Sequence, residues 1–330
     1  MFIGIEGGGT STTCALVSTT GEILHVCSVD KSTNPLLVGA EAVVSIVSDL
    51  VQECLQVQTF SLPVKGLALT LSGVDNLEVQ KLLSLAFSSA STKLADQIFF
   101  CNDSVGSSAL LCKEVNMVLI AGTGSHCRVV LKDGRQFRSG GWGHLLGEFG
   151  CAYAIASRAI TDVLRERDDH PDKSEFSTIK VRELLLTKFS LSDMPEILSM
   201  FYRAFDKAKI ADLARDLAEL AEQGDSYCCS LFKEAGRDLG RMVVAVLRQM
   251  RSAGLEPLSS LEILAIGSVW KSVHLFWNEF VSAVGVEHEG AITVYRPLVT
   301  AAVGAVVLQC NSQFGLELSF PPLVESFIST

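Results

Sequence analysis

The sequence has no cluster of Lys and Arg: its 27 basic residues are outnumbered by 37 acidic ones, giving a formal net charge of −10. Affinity for nucleic acid or for an anionic membrane rests on such clusters, so neither is expected as a partner, and any phosphate must be held locally by backbone N–H groups and hydroxyls. An apolar run able to cross a bilayer takes on the order of 20 residues. The longest here, Leu298 to Leu308, falls short and is expected to form a buried helix. The start of the chain has neither the basic residues nor the apolar stretch of a signal peptide, so a cytoplasmic protein is expected. Among ten cysteines no Cys-x-x-Cys pair occurs, and the closest two are the adjacent Cys228 and Cys229. Most lie in apolar stretches, as Cys14 and Cys101 do, where a reduced thiol packs as a small hydrophobe. Neither a disulfide framework nor a metal site is expected. His144 has no second histidine and acid at ligand spacing, which argues against zinc.

What is present is apolar residues in quantity, 48% of the chain with a mean hydropathy of +0.35, enough for a large core. A length of 330 residues exceeds what one core usually organises, so two domains are expected. Two glycine-rich turns with one layout support this. The first is Ile3-Gly4-Ile5-Glu6-Gly7-Gly8-Gly9-Thr10, followed by an apolar run from Thr12 to Val17 and a turn at Thr20-Gly21. The second is Val118-Leu119-Ile120-Ala121-Gly122-Thr123-Gly124-Ser125, followed by Cys127 to Leu131 and a turn at Asp133-Gly134. Each reads as a strand, a hairpin carrying a hydroxyl, a second strand and a further turn. Glycine lets N–H groups approach an anion and threonine adds a donor, so each hairpin suits phosphate. A single such turn would be an ordinary hairpin. Two in the same context point to a pair of phosphate loops that clamp a nucleotide between domains.

After the first hairpin unit the pattern gives a third strand at Ile23 to Val29, then a polar loop through Asn34-Pro35, expected to expose its side chains. A helix at Val38 to Gln56, a strand at Val64 to Leu71, a helix at Leu77 to Ala90 and a strand at Gln97 to Cys101 follow. Three antiparallel-type strands and then alternating helix and strand fit a ribonuclease-H-like unit. The pattern restarts near Asn116, the sign of a duplicated domain. The charged run Arg165 to Lys173 reads as a solvated connection. Ile210, Leu213, Ala214, Leu217, Leu220 and Ala221 share one face of a helix, and a second helix runs from Tyr227 to Met250. A buried strand, Leu261 to Ile266, feeds Gly267-Ser268. No low-complexity linker separates the halves, so the two domains should be tightly hinged.

Asp103 follows the strand ending at Cys101 and opens a helix, where open α/β sheets place their ligands. It is read either as part of a helix cap or as a general base acting on a hydroxyl that attacks a γ-phosphate, with Ser104 free to serve as the cap. The segment Gly140-Gly141-Trp142-Gly143-His144-Leu145-Leu146-Gly147-Glu148 combines an indole, a carboxylate and permissive glycines. That combination suits a sugar ring, by stacking and by acceptance from paired hydroxyls. Packing alone would equally explain Trp142 and His144.

Taken in order, Ile5-Glu6-Gly7-Gly8-Gly9-Thr10, Ser32-Thr33-Asn34, Leu71-Ser72-Gly73, Asn102-Asp103, Ala121-Gly122-Thr123-Gly124-Ser125, Gly140-Gly141-Trp142-Gly143-His144 and Ile266-Gly267-Ser268-Val269-Trp270-Lys271-Ser272 resemble the N-acetylglucosamine kinases. The likeness is to the eukaryotic type, within the actin-like ATPase superfamily, and covers essentially the whole chain. It implies an α/β fold of two ribonuclease-H-like domains with an interdomain cleft. Residues 1–113 would be the small domain and 114–330 the large one, with the last helix free to pack back on the small domain. The resemblance implies transfer from ATP, with Mg2+, to the 6-hydroxyl of N-acetyl-D-glucosamine, in a homodimer; a kinase for another hexose or hexosamine such as glucosamine, or a non-catalytic sugar sensor of the same fold, is the alternative. Asp103 then matches the catalytic base. Asn34, Ser72, Gly73, Ser125, Gly141, Trp142, Gly143 and Glu148 fall at sugar positions. Gly8, Gly9, Thr10, Gly122, Thr123, Gly124, Ala211, Gly267 and Ser268 fall at nucleotide positions. Three places depart from the family: Glu148-Phe149 stands for Asp-Glu, Pro35 for a polar residue, and Glu6 for an aspartate near magnesium.

Overall fold

The N-terminal apolar runs form strands β1 (Phe2–Gly7), β2 (Thr12–Val17) and β3 (Ile23–Val29), the first two joined by the glycine hairpin. These are features of a computed structural model that describes residues 1–56 and 60–330. Two units emerge: Met1–Val118 with Val129–Gln136 and Val294–Ile328, and Leu119–Arg128 with Phe137–Thr293 and Ser329–Thr330.

In the first unit β1 pairs antiparallel with β2 and parallel with β4 (Val64–Leu71), which pairs parallel with β5 (Ala95–Cys101). The order is β3-β2-β1-β4-β5. A central strand covered on both faces reads as a continuous apolar run, and β1 does. Its alternate residues serve the two faces. Ile3 and Ile5 join the core made with the helix Ala40–Gln56, whose Val43, Val47, Leu50, Val51 and Cys54 are buried. Phe2 packs instead with Val306 of the helix Ala301–Gln309. Gly4 points to the same side, where a Cβ would lie 1.8 Å from the Ala302 carbonyl oxygen. Only glycine lets that helix approach β1 so closely.

The loop after β3 differs from its sequence reading. Asn34 is extended as expected (φ −73°, ψ 110°), but Pro35 occupies the first turn of a short helix, Pro35–Val38. Its fixed φ suits that place. The loop's polar side chains are not all solvent-facing: Thr33 is fully buried and its hydroxyl shares a 2.9 Å bond with that of Thr12.

The second sheet repeats the strand pattern. Its strands are β6 (Val115–Ala121), β7 (Ser125–Leu131), β8 (Gln136–Gly140), β9 (Ser260–Ile266), β10 (Ala291–Pro297) and β11 (Val324–Ser329). Their order is β11-β10-β9-β6-β7-β8. Between β8 and β9 the chain makes a series of helices. The first, Ala152–Arg167, extends into the charged run read as a connection, because its buried Asp162 accepts from Arg158 at 2.8 Å and from Arg165 at 3.3 Å. The face from Ile210 to Ala221 is shared by two helices, Lys207–Ala211 and Leu213–Glu222, parted at Asp212. Lys188 and Arg215 both bond the Asp212 carboxylate there, at 2.7 and 2.6 Å. The long helix Ser226–Ser252 begins at the Asp225 cap. Among the described residues no helix is long and apolar enough to cross a membrane.

Candidate active site

In the first unit the carboxyl ends of three strands meet. Beyond β1 and β4, the Ser72 N–H donates to the Gly7 carbonyl at 2.8 Å, continuing the ladder into the glycine hairpin. Beyond β5 lies Asp103, in the first turn of the helix Asp103–Ser108. The cap of that helix is Asn102 rather than Ser104: its Oδ1 accepts from the Ser104 N–H at 3.0 Å and from the Ser104 hydroxyl at 2.5 Å. Asn102 is fixed in turn by donating to Asp75 at 2.8 Å. The Asp103 carboxylate shares that Ser104 N–H with Asn102 and has a further partner in Ser72. Oδ2 accepts from the Ser72 hydroxyl, and Oδ1 from the Ser104 N–H at 2.8 Å.

Gly73, next to Ser72, has φ +83°, and a Cβ there would sit 2.6 Å from Asn34 Oδ1. Asn34 in turn caps the Pro35 helix, accepting from Leu36 N–H at 3.0 Å. The structure therefore brings Asn34, Ser72, Gly73 and Asp103 together. The Gly8-Gly9-Thr10 turn borders the same region: Gly8 N–H bonds Ser11 O at 3.0 Å, and Ser32 Oγ donates to Gly8 O at 3.0 Å. Gly9 and Thr10 are exposed.

Glu6, which the resemblance sets where relatives carry an aspartate near magnesium, joins this group. Burial pushes its carboxyl above the ordinary range; a hydrogen bond from Thr300 opposes this, and the charge of Asp103 adds to the push. Thr300 Oγ1 donates to Glu6 Oε2 at 3.1 Å. Two carboxylates thus lie close enough to feel one another where the first hairpin begins, an arrangement that a cation relieves.

The second unit holds the other glycine hairpin. Gly122 N–H bonds Gly124 O at 3.0 Å, and the Gly122 carbonyl accepts from Ala152 N–H at 2.9 Å, tying the turn to the start of the helix Ala152–Arg167. Gly267 packs directly on it. With φ +110°, its Cβ would fall 2.4 Å from the Ala121 carbonyl and 2.5 Å from Gly122 N. Ser268 begins the following turn of helix, which Trp270 anchors by donating from Nε1 to Leu119 O at 3.1 Å. Ser125 is buried; its carbonyl accepts from Gly141 N–H at 3.0 Å and its hydroxyl from Phe149 N–H at 3.1 Å, so it organises the glycine-rich segment around itself.

Glu148 is placed where sequence reasoning did not foresee. Its side chain is 6% exposed and paired with Lys207, whose Nζ lies 2.8 Å from Oε1 and 2.7 Å from Oε2. Oε1 lies 2.5 Å from where a Cβ on Gly124 would be. The carboxylate thus sits against the second hairpin, and only glycine at Gly124 admits it. Lys207 opens the short helix ending at Ala211, which this ion pair draws towards the hairpin. No motif marked Lys207, since its partner is 59 residues away in sequence. Trp142 stands apart from these groups, 60% exposed and stacked on the Arg138 guanidinium at 4.7 Å. Gly141 and Gly143 have φ of +75° and +86°, and nothing lies within 4 Å of a Cβ on Gly143. His144 stacks on Phe205 at 4.7 Å, a packing role.

A solved structure from Chromobacterium violaceum superposes with a TM-score of 0.68 at 20% identity, covering 93% of this chain and 98% of that one. A ROK family glucokinase from Streptomyces griseus, solved with glucose and AMPPNP, superposes at 0.55 with 15% identity, covering 93% and 97%. These likenesses carry the fold, an α/β chain with two ribonuclease-H-like sheets of the actin-like ATPase type. In sequence the chain is 26% identical over 326 residues to the N-acetyl-D-glucosamine kinase of Dictyostelium discoideum, covering 95% of this chain and 98% of the relative. It is 25% identical over 314 residues to the N-acetylmuramic acid/N-acetylglucosamine kinase of Clostridium acetobutylicum, covering 93% and 97%. The model of the BadF/BadG/BcrA/BcrD ATPase family matches residues 3–309, and the chain belongs to that family.

Proposed function

We propose that the chain is an ATP-dependent sugar kinase that phosphorylates N-acetyl-D-glucosamine on its 6-hydroxyl. The observation that carries the reading is Asp103: a carboxylate just past the end of β5, oriented by Ser72 and Ser104, with Ser72 next to the Gly73 against which Asn34 lies. Phosphoryl transfer asks little covalent chemistry of a protein. It needs positioning, charge stabilisation and one group to take the hydroxyl proton.

Asp103 takes that proton as the sugar oxygen attacks the γ-phosphorus, while the Ser72 hydroxyl keeps the accepting oxygen oriented. Asn34 and Gly73, with Ser125, Gly141, Trp142, Gly143 and Glu148, are the sugar contacts of this reading. In this reading Gly8, Gly9 and Thr10 form one phosphate turn and Gly122, Thr123 and Gly124 another, their threonines contributing hydroxyl donors, with Ala211, Gly267 and Ser268 towards the nucleoside. The paired carboxylates of Glu6 and Asp103 suit a hydrated divalent ion. Mg2+, when bound with ATP, offsets the charge of the phosphates. The names of the two sequence relatives support this substrate, each on a chain matched over nearly its full length.

The test is a panel of N-acetylglucosamine, glucosamine, N-acetylmuramic acid and glucose with MgATP, each product located by 31P–1H correlation. N-acetylglucosamine 6-phosphate as the preferred product supports the reading. Phosphate on another position, or preference for glucose, overturns it.

A further inference from the structure

Three cysteines far apart in sequence converge in the first unit. Cys14 on β2 and Cys27 on β3 are direct partners across the antiparallel ladder, and Cys54 projects from the buried face of the helix Ala40–Gln56. All three Sγ atoms lie within 4.8 Å of one another. Cys27 Sγ is 3.1 Å from Cys54 Sγ and 3.8 Å from the Leu50 carbonyl oxygen. Cys14 and Cys54 are buried, whereas Cys27 is partly exposed. Cys14 and Cys54 belong to an apolar core that includes Leu16, Val47 and Leu50, and Cys27 packs against it.

Two chemistries suit clustered thiols, a soft metal ion or a disulfide. Three thiolates around a monovalent or divalent ion leave a net negative charge among those apolar side chains, which is costly, and among the described residues no fourth acidic, histidine or cysteine ligand joins the group. A disulfide is neutral. Its S–S bond of about 2.05 Å is a contraction of about 1 Å from the present contact, within reach of side-chain rotation.

We infer that Cys27 is a site of oxidation by hydroperoxides, with Cys54 the thiol that resolves it into an intramolecular disulfide. Cys27, the one of the three whose residue is partly exposed, is the attacking sulfur. Its thiolate is further favoured by hydrogen bonds from Cys14 and then Cys54, which against the opposing effect of burial bring it down to about 7. Cys14, donating to it, is pushed well up and stays a thiol.

The Cys27 thiolate attacks one peroxide oxygen; an S–O bond forms, the O–O bond breaks, and the departing hydroxide takes a proton to become water. Cys54 sulfur then attacks the resulting sulfenic acid. The S–S bond forms as the S–O bond breaks, and the second hydroxide leaves as water with the Cys54 proton. Two thiols lose two electrons in all, and the peroxide gains them. The product staples β3 to the helix Ala40–Gln56 and closes a loop containing Asn34.

The test oxidises the fully reduced chain with hydrogen peroxide, then blocks remaining thiols, digests and maps by mass spectrometry. The parent should lose two hydrogens and yield a Cys27–Cys54 linked peptide, with Cys14 alkylated. Cys27→Ser should abolish the link and leave Cys54 alkylated. Cys54→Ala should leave a Cys27 sulfenic acid that dimedone traps. If Cys54→Ala fails to fold, judged by circular dichroism, the parent map and Cys27→Ser still decide. Cys112→Ser, which removes an exposed thiol, should leave the link intact. Oxidation that falls on Cys112 while Cys27 stays reduced overturns the inference. So does one equivalent of a soft metal that copurifies and must be chelated before Cys27 reacts.

Discussion

Gly267→Ala probes how tightly the second hairpin is held. A φ of +110° lies outside the small left-handed region open to an L-residue, which costs about 1–2 kcal/mol. The added Cβ would meet the Ala121 carbonyl at 2.4 Å and Gly122 N at 2.5 Å. These are backbone atoms of a strand end and cannot rotate aside, so overpacking adds about 1–3 kcal/mol. A total of about 3 kcal/mol lowers Tm by about 6–12 °C for a unit of this size. Gly254→Ala is the control: its φ is +79° but nothing lies within 4 Å of the new Cβ, so only the backbone part remains, a fall of about 2–8 °C. Differential scanning fluorimetry on the two variants and the parent reads the difference, and ATP titration reads the displaced hairpin as a raised KM for ATP. A Gly267→Ala variant no less stable than Gly254→Ala would refute the close packing of Gly267 on the hairpin.

Asp103→Asn keeps the shape of the carboxylate but cannot take a proton, so kcat should fall by about 10²- to 10⁴-fold with sugar KM little changed; near-parental turnover would return Asp103 to a structural part of the helix start. Lys207→Met strips the nearly buried Glu148 carboxylate of its partner and should cost about 1–3 kcal/mol. Adding Glu148→Gln should recover most of that loss in thermal unfolding, and a double variant as unstable as the sum of the singles would sink the pairing. Glu6 has its folded pKa raised by burial, so it favours the folded state fully below the ordinary carboxylate pKa and loses that contribution as pH rises through the folded value. Glu6→Gln, which cannot ionise, should therefore gain stability relative to the parent as pH rises above about 4. A Tm difference that stays flat as pH rises would contradict the raised pKa.

The sequence by itself determined the local devices. The two glycine turns, their flanking apolar strands and the position of Asp103 after β5 are readable because each depends on neighbours in the chain: glycine's freedom at a turn, the apolar run of a doubly covered strand, the carboxyl end of a strand as a ligand position. The repeat of these devices is why a duplication is legible near Asn116; the matching orders β3-β2-β1-β4 and β8-β7-β6-β9 come from the structure. The helices between β8 and β9 were less legible, since Ile210 to Ala221 keeps one apolar face across a break at Asp212, whose carboxylate Lys188 and Arg215 bond. Tertiary structure alone decided the pairings between distant residues. Lys207 meets Glu148, Thr300 meets Glu6, and Cys14, Cys27 and Cys54 converge. No periodicity encodes such meetings, because long-range partners are chosen by how strands and helices stack. The Asn102 cap shows the same limit at short range: Asn102, Asp103 and Ser104 could each cap a helix start, and the bond from Asn102 to Asp75 together with that from Ser72 to Asp103 selects which one does.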